Sequence, residues 1–122
     1  MKIGIDIIKI DRIDRLIQNY GNKFLDKYFD KEEIRYCKSK VVPLQHFAGK
    51  FAAKEAVKKA LLSTNPTLIV PLSDIVIRNN SLGKPYVRLR GNVGEICKNY
   101  IIEVSISHEK NDYAIAIALV AI

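Results

Sequence analysis

Asp6 is the residue in this sequence that most needs an explanation. It stands in Ile3-Gly4-Ile5-Asp6-Ile7-Ile8, and a lone carboxylate in an apolar strand is costly to desolvate unless a cation or hydrogen-bond donors meet it. It either accepts backbone hydrogen bonds at a strand edge or binds a metal ion. A second carboxylate is available from Glu55, in Phe51-Ala52-Ala53-Lys54-Glu55-Ala56. Two carboxylates from separate elements suit Mg²⁺, which keeps several waters and takes further oxygens from a bound phosphate. Lys59 follows Glu55 by one helical turn. That spacing fits a surface ion pair worth about 0.3–0.5 kcal/mol, or a lysine that neutralises phosphate oxygens beside the metal. His108 ends Val104-Ser105-Ile106-Ser107-His108, and is either a satisfied core histidine or, next to two serines at a strand end, a phosphate ligand. Gly83-Lys84-Pro85 is not a P-loop, because it lacks the strand–loop–helix setting. Cys37 and Cys97 have no histidine partner in sequence reach and read as packing residues.

These groups act together only if the chain converges on them. Ile3 to Ile10 is apolar on both alternating sets and predicts a buried strand carrying one acid. Asp11–Tyr20 and Lys23–Phe29 are short helices separated at Gly21. Asp30 with Glu33 is a capping-box start for a third helix through about Lys38. Pro43 opens the longest helix, to about Leu62, and Asn65-Pro66 stops it. Projected at about 100° per residue from Lys50, the residues Ala52, Ala53, Ala56, Val57 and Ala60 cover a smooth face from about 200° to 340°. Lys54, Lys58, Glu55 and Lys59 lie on the other side, interleaved with Phe51 and Leu62. Such a helix is covered on more than one side, which makes Glu55 a partly buried carboxylate.

The second half is richer in strands. Asp74–Arg78 and Tyr86–Arg90 flank a turn-rich connection and form a hairpin. A short helix spans Val93–Tyr100, and Glu103–His108 places Val104, Ile106 and His108 on one face. The last strand alternates Tyr113, Ile115, Ile117 and Leu119 with Ala114, Ala116 and Ala118, a pattern expected of a central strand covered on both faces. The expected fold class is α+β: a small, mostly antiparallel sheet wrapped around one long helix.

Length and composition narrow the function. At 122 residues, 48% hydrophobic and 27% charged, the chain reads as one domain, 1–122, with a core that needs no disulfide or metal staple. The longest apolar run, Tyr113 to Ile122, is about half a bilayer span, and Lys2, Gly4, Asp6 and Lys9 do not resemble a signal peptide. With two widely spaced cysteines, a cytoplasmic protein with free thiols is expected. Net charge is +7, and residues 1–62 carry 14 basic against 8 acidic groups while 63–122 carry 6 against 5. Lys50, Lys54, Lys58 and Lys59 supply a dense part of that excess. A positive field favours polyanions: nucleic acid, a phosphorylated metabolite or an acidic protein. A small basic nucleic-acid-binding module is the alternative reading. It lacks aromatics interleaved with cations on a strand, and it leaves Asp6 unexplained.

Taken together, these segments resemble the holo-[acyl-carrier-protein] synthase family, the small 4′-phosphopantetheinyl transferases. Gly4-Ile5-Asp6-Ile7 running to Arg12-Ile13 carries the first motif. Phe47-Ala48-Gly49-Lys50-Phe51-Ala52-Ala53-Lys54-Glu55-Ala56 running to Lys59-Ala60-Leu61 carries the second. Val104-Ser105-Ile106-Ser107-His108 with Tyr113-Ala114, and the Gly83-Lys84-Pro85 turn, complete the pattern. The resemblance implies the 4′-phosphopantetheinyl transferase fold and transfer of phosphopantetheine from coenzyme A to a serine of acyl carrier protein. It also implies a homotrimer with sites between subunits.

Residue by residue, the resemblance assigns Asp6 and Glu55 to Mg²⁺ and Lys59 to the pyrophosphate. It assigns Lys50, Gly83, Lys84, Pro85 and His108 to the nucleotide, with Lys54 of the same motif counted among them, and Arg12 to the acidic carrier protein. The base for the serine proton is Glu55 or a water at the metal. Three departures stand out: Lys50 where relatives have arginine, losing a bidentate fork; Lys9 where an acid is common; and Ser63-Thr64-Asn65-Pro66 in place of a glycine-containing turn.

Overall fold

Local chemistry sets where most elements start and stop. β1 (Lys2–Lys9) runs directly into α1 (Ile10–Tyr20), which ends at Gly21 with φ of 55°, a conformation glycine adopts without a Cβ clash. α2 (Asn22–Tyr28) and α3 (Lys31–Lys38) follow. Asp30 caps α3 as read: its carboxylate accepts from the Glu33 N–H, and the Glu33 carboxylate accepts from the Asp30 N–H, both at 2.9 Å. α4 (Pro43–Thr64) starts on proline and is the longest element. A 3₁₀ turn (Leu72–Asp74) leads to β2 (Ile75–Asn79) and β3 (Pro85–Leu89), then α5 (Gly91–Ile96), β4 (Ile101–His108) and β5 (Tyr113–Ala121). The computed structural model describes all 122 residues, Met1–Ile122. No helix is long and apolar enough to cross a membrane.

The architecture is α+β, and the strands do wrap α4. They form two wholly antiparallel sheets, one of three strands in the order β1-β5-β4 and one hairpin, β2-β3. The small face of α4 is the reason they can approach so closely. Ala52, Ala53, Ala56, Val57 and Ala60 are fully buried. A Cβ on Gly4 would collide with the Ala56 carbonyl oxygen and lie 2.8 Å from the Ala60 nitrogen. Only glycine lets the β1 backbone touch the α4 backbone at this point. Two positions along β1, Asp6 is therefore held against the same helix. It pairs in register with Ala116 of β5, which in turn pairs with Ile106 of β4.

Two expectations of burial are corrected. β1 is an edge strand buried on one face only: Gly4 and Ile8 point inward, while Ile3, Ile5 and Ile7 remain 60%, 53% and 60% exposed. β5 is central, as read, but α4 covers only its alanine face. Ile115 and Ile117 lie open beside Ile7 and Ile5. The apolar alternation was correct, but within this chain the second face stays open.

Candidate active site

Lys59 does not pair with Glu55. Its ammonium reaches β1, donating to the Ile5 carbonyl oxygen at 3.0 Å and standing 3.2 Å from Asp6 Oδ1. Asp6 is mostly buried, with a side chain 19% exposed, whereas Lys59 is 54% exposed. Glu55 lies one turn before Lys59 on the same side of α4. It is half-buried, as expected, and makes no side-chain hydrogen bond or ion pair. One carboxylate and one ammonium thus meet where β1 crosses α4, with Glu55 one turn along the helix. Both carboxylates offer hard oxygens, a donor type that suits Mg²⁺ and not a soft-ligand metal.

A second cluster occupies a cleft of about 150 Å³ between the start of α4, the β2–β3 turn and the end of β4. Lys50, Gly83, Pro85 and His108 all line it, so four of the residues assigned to the nucleotide do converge. Gly83 takes φ of 86°, a left-handed conformation that favours glycine. Asn80 Oδ1 accepts from the Leu82 and Lys84 N–H groups, both at 2.9 Å, which shapes the turn. Lys84 itself is exposed and does not line the cleft. His108 is exposed at its strand end, so it is not a satisfied core histidine. Sequence reasoning missed Tyr36, His46 and Asn79, which share the cleft. The His46 signal was present: it lies one helical turn before Lys50.

Lys50 and Lys54 are not surface charges, in keeping with a helix covered on more than one side. Lys50 is 3% exposed; its ammonium donates to the Ile77 carbonyl oxygen and to Asn79 Oδ1, both at 2.6 Å, and sits 4.7 Å from the Tyr36 ring centroid. Burial brings its pKa down to about 8. Lys54 is further inside, at 0% exposed, and lies apart from the cleft. It is 2.9 Å from Glu33 Oε2 and donates to the Ile75 carbonyl oxygen. Burial also pushes its pKa down. Glu33 is 1% exposed and accepts from the Ile77 N–H at 2.8 Å. The N–H and C=O of Ile77 are therefore bound by Glu33 and Lys50. Asn79, two residues on, accepts from Lys50 and donates to the Gly83 carbonyl oxygen at 3.1 Å. Lys50, through Asn79, ties the cleft's turn to α4, and Lys54 ties the start of β2 and α3 to the same helix.

Arg12 makes no ion pair. On its helix the Asp11 carboxylate goes to Arg15 at 3.4 Å. Arg12 instead edges a groove of about 310 Å³ whose floor is Leu16, Phe24, Tyr28 and Phe51 and whose rim includes Lys23 and Lys27. An apolar floor with a cationic rim suits an acidic partner that also presents apolar side chains. Cys37 and Cys97 are buried free thiols, the packing role expected, and burial pushes the Cys37 thiol up to about 12.

Residues 2–118 match the family described as the 4′-phosphopantetheinyl transferase superfamily, and the chain belongs to it. Its relatives include the holo-[acyl-carrier-protein] synthase of Ruminiclostridium cellulolyticum, 45% identical over 100% of this chain and 92% of that one. That of Halothermothrix orenii is 41% identical over 93% and 91%. Among solved structures, the Helicobacter pylori holo-[acyl-carrier-protein] synthase in complex with coenzyme A superposes with a TM-score of 0.82 at 33% identity, covering 98% of this chain and 99% of that one. The Chronobacterium ammoniagenes ACPS-CoA complex gives 0.84 at 25% identity, covering 98% and 95%. The nucleic-acid-binding alternative has no support here, and the burial of Lys50 and Lys54 removes half of the basic stripe that suggested it.

Proposed function

We propose that this chain transfers 4′-phosphopantetheine from coenzyme A to a serine of an apo acyl carrier protein, giving holo carrier protein and adenosine 3′,5′-bisphosphate. The observation that carries the reading is the pairing of Asp6 with Lys59 across β1 and α4, with Glu55 one turn away. In the reaction the serine oxygen attacks the phosphorus that bears pantetheine. The anhydride bond on the far side breaks, and its electrons leave with the nucleotide. Asp6 and Glu55 would hold Mg²⁺, which when bound supplies positive charge to the pyrophosphate. Lys59 neutralises the departing phosphate; it is 54% exposed, and Asp6 is its anionic partner within the chain. Glu55 has no side-chain partner within the chain, so the serine proton can pass to its carboxylate or to a water beside it. Most of the acceleration then comes from alignment and charge neutralisation.

The working unit is a homotrimer with sites between subunits. Two features support this. Asp6, Glu55 and Lys59 do not line the cleft that holds Lys50 and His108. The cleft, at about 150 Å³, is also smaller than the roughly 300–1,000 Å³ of a complete small-molecule site. The open isoleucine face of the three-stranded sheet is the surface a second copy would cover. Residues 1–122 act as one domain, for which the continuous core from Ile8 to Val120 is the support. Two buried free thiols fit a reducing, cytoplasmic setting.

The test is direct. Incubated with coenzyme A and Mg²⁺, the protein adds the mass of phosphopantetheine to an apo carrier protein, and a chelator stops it. An unmodified carrier protein under these conditions contradicts the reading.

A further inference from the structure

The cleft contains an imidazole that the proposed reaction does not use. His46 lies on α4, with its ring centroid 5.7 Å from that of His108 on β4 and 6.0 Å from that of Tyr36 on α3, edge-on to both. The charged and titratable groups around it are Tyr36, His108, Lys50 from its own helix and Lys40 from the turn after α3. No carboxylate lines the cleft. Burial, then His108, Lys40 and Lys50, hold the His46 pKa below the ordinary imidazole value. Every nearby charge therefore favours the neutral ring. A phosphate dianion entering the cleft reverses that balance, because an anion near an imidazole stabilises its cation.

We propose that His46 is a phosphate-binding residue of this cleft, which takes up a proton as a nucleotide phosphate enters and, with His108, donates to it. The proposal rests on reading the cleft as the nucleotide site. Its sign is fixed. Ligand binding raises the imidazole pKa, so the complex holds more protons than the free protein, and affinity rises as pH falls. One proton allows at most about a tenfold gain per pH unit. The phosphate's own second ionisation, near pH 6, works in the opposite direction, since a cationic cleft draws a proton off the phosphate. Net uptake on binding thus identifies the protein as the proton acceptor. The alternative role for His46, stacking on the base through its ring face, is indifferent to the proton and survives replacement by phenylalanine.

The probe is adenosine 3′,5′-bisphosphate, titrated calorimetrically at pH 7.5 in buffers of different ionisation enthalpy. Net proton uptake is expected for the native protein and should be clearly smaller in His46→Phe, with affinity rising more steeply from pH 8 to 6.5 in the former; what uptake remains in the variant belongs to Lys50 and His108, which share the cleft. A second measurement needs no His46 variant. The chain has two histidines, His46 and His108, so their imidazole proton resonances can be titrated with and without ligand, and His108→Gln assigns them. The His46 midpoint should move up on binding. An unmoved His46 midpoint, or equal uptake in native protein and His46→Phe, overturns the inference. Failure of the native protein to bind adenosine 3′,5′-bisphosphate at any pH overturns the reading of the cleft and this inference with it.

Discussion

Lys59 Nζ lies 3.2 Å from Asp6 Oδ1, across 53 residues of sequence, while Glu55, one turn away on the same helix, has no partner. The close approach at Gly4 makes this possible, because it brings the β1 backbone against α4. A cation at this crossing would find one paired carboxylate and one unpaired carboxylate, with the ammonium free to turn toward a phosphate.

Asp6→Ala and Glu55→Gln should each lower carrier-protein modification by about 100-fold or more, with circular dichroism unchanged. Lys59→Met should lower turnover while leaving the Mg²⁺ requirement in place. Near-normal turnover of Asp6→Ala at ordinary Mg²⁺ would remove the metal assignment.

The buried Glu33–Lys54 pair should behave as a unit. Lys54→Met strands the Glu33 carboxylate in the core and is expected to cost about 3–5 kcal/mol in urea unfolding. Adding Glu33→Gln should restore part of that loss, since a neutral amide no longer needs an ammonium. Strict additivity of the two substitutions would contradict it.

Asp30 should set an acid limb of stability. Its hydrogen bonds from Arg78, at 2.8 and 2.5 Å, hold the carboxyl at about 2, below its ordinary 3.8. A depressed acid stabilises the fold above its unfolded pKa, and that contribution is lost as pH falls from about 4 through about 2. Asn remains a good helix cap, so Asp30→Asn should flatten this limb of the pH–stability curve without unravelling α3. An equally steep limb in the variant would count against the pair.

Arg12→Ala should weaken binding of the acidic carrier protein without altering affinity for coenzyme A. Raising salt should weaken carrier binding more in the native protein than in the variant. Phe51 forms the floor of the same groove but is only 6% exposed, so a milder probe of that floor is Leu16→Ala, which should reduce affinity with little change in salt slope. Identical salt slopes for native protein and Arg12→Ala would return Arg12 to an ordinary surface role.

Assembly should depend on the open sheet face. Ile117, paired with Ile5 of β1 and Ser105 of β4, lies at the middle of it. Ile117→Glu should convert a trimer into monomers by light scattering and abolish transfer if the sites lie between subunits. A native protein that is monomeric and fully active at micromolar concentration would refute the trimer.

Much of the candidate site was legible because its signals are local. A carboxylate inside an apolar strand is costly wherever the strand goes, so Asp6 announced itself. Glu55 and Lys59 share a helical face by spacing alone. The capping box at Asp30 and Glu33, the proline start of α4 and the small face Ala52 to Ala60 follow from rules that act within a few residues. The second role of Glu33, binding Lys54 and the Ile77 N–H, was not legible, since nothing in a capping box indicates what lies on its other side.

By itself, then, the sequence determined the elements, their order, the α+β class and the residue types able to bind a phosphate and a divalent cation. Tertiary structure alone decided which lysines became surface charge and which became internal ties. On the helical projection Lys50 and Lys54 look like Lys58 and Lys59, yet the first two are buried against carbonyl oxygens of Ile75 and Ile77 more than 20 residues away. A lysine's fate depends on which acceptors the fold brings to it, because its ammonium enters the core only where oxygens replace its water. The same holds for the isoleucines of β1 and β5. Alternation marks both faces of a strand as apolar, and only the packing of α4 determines which one a single chain covers.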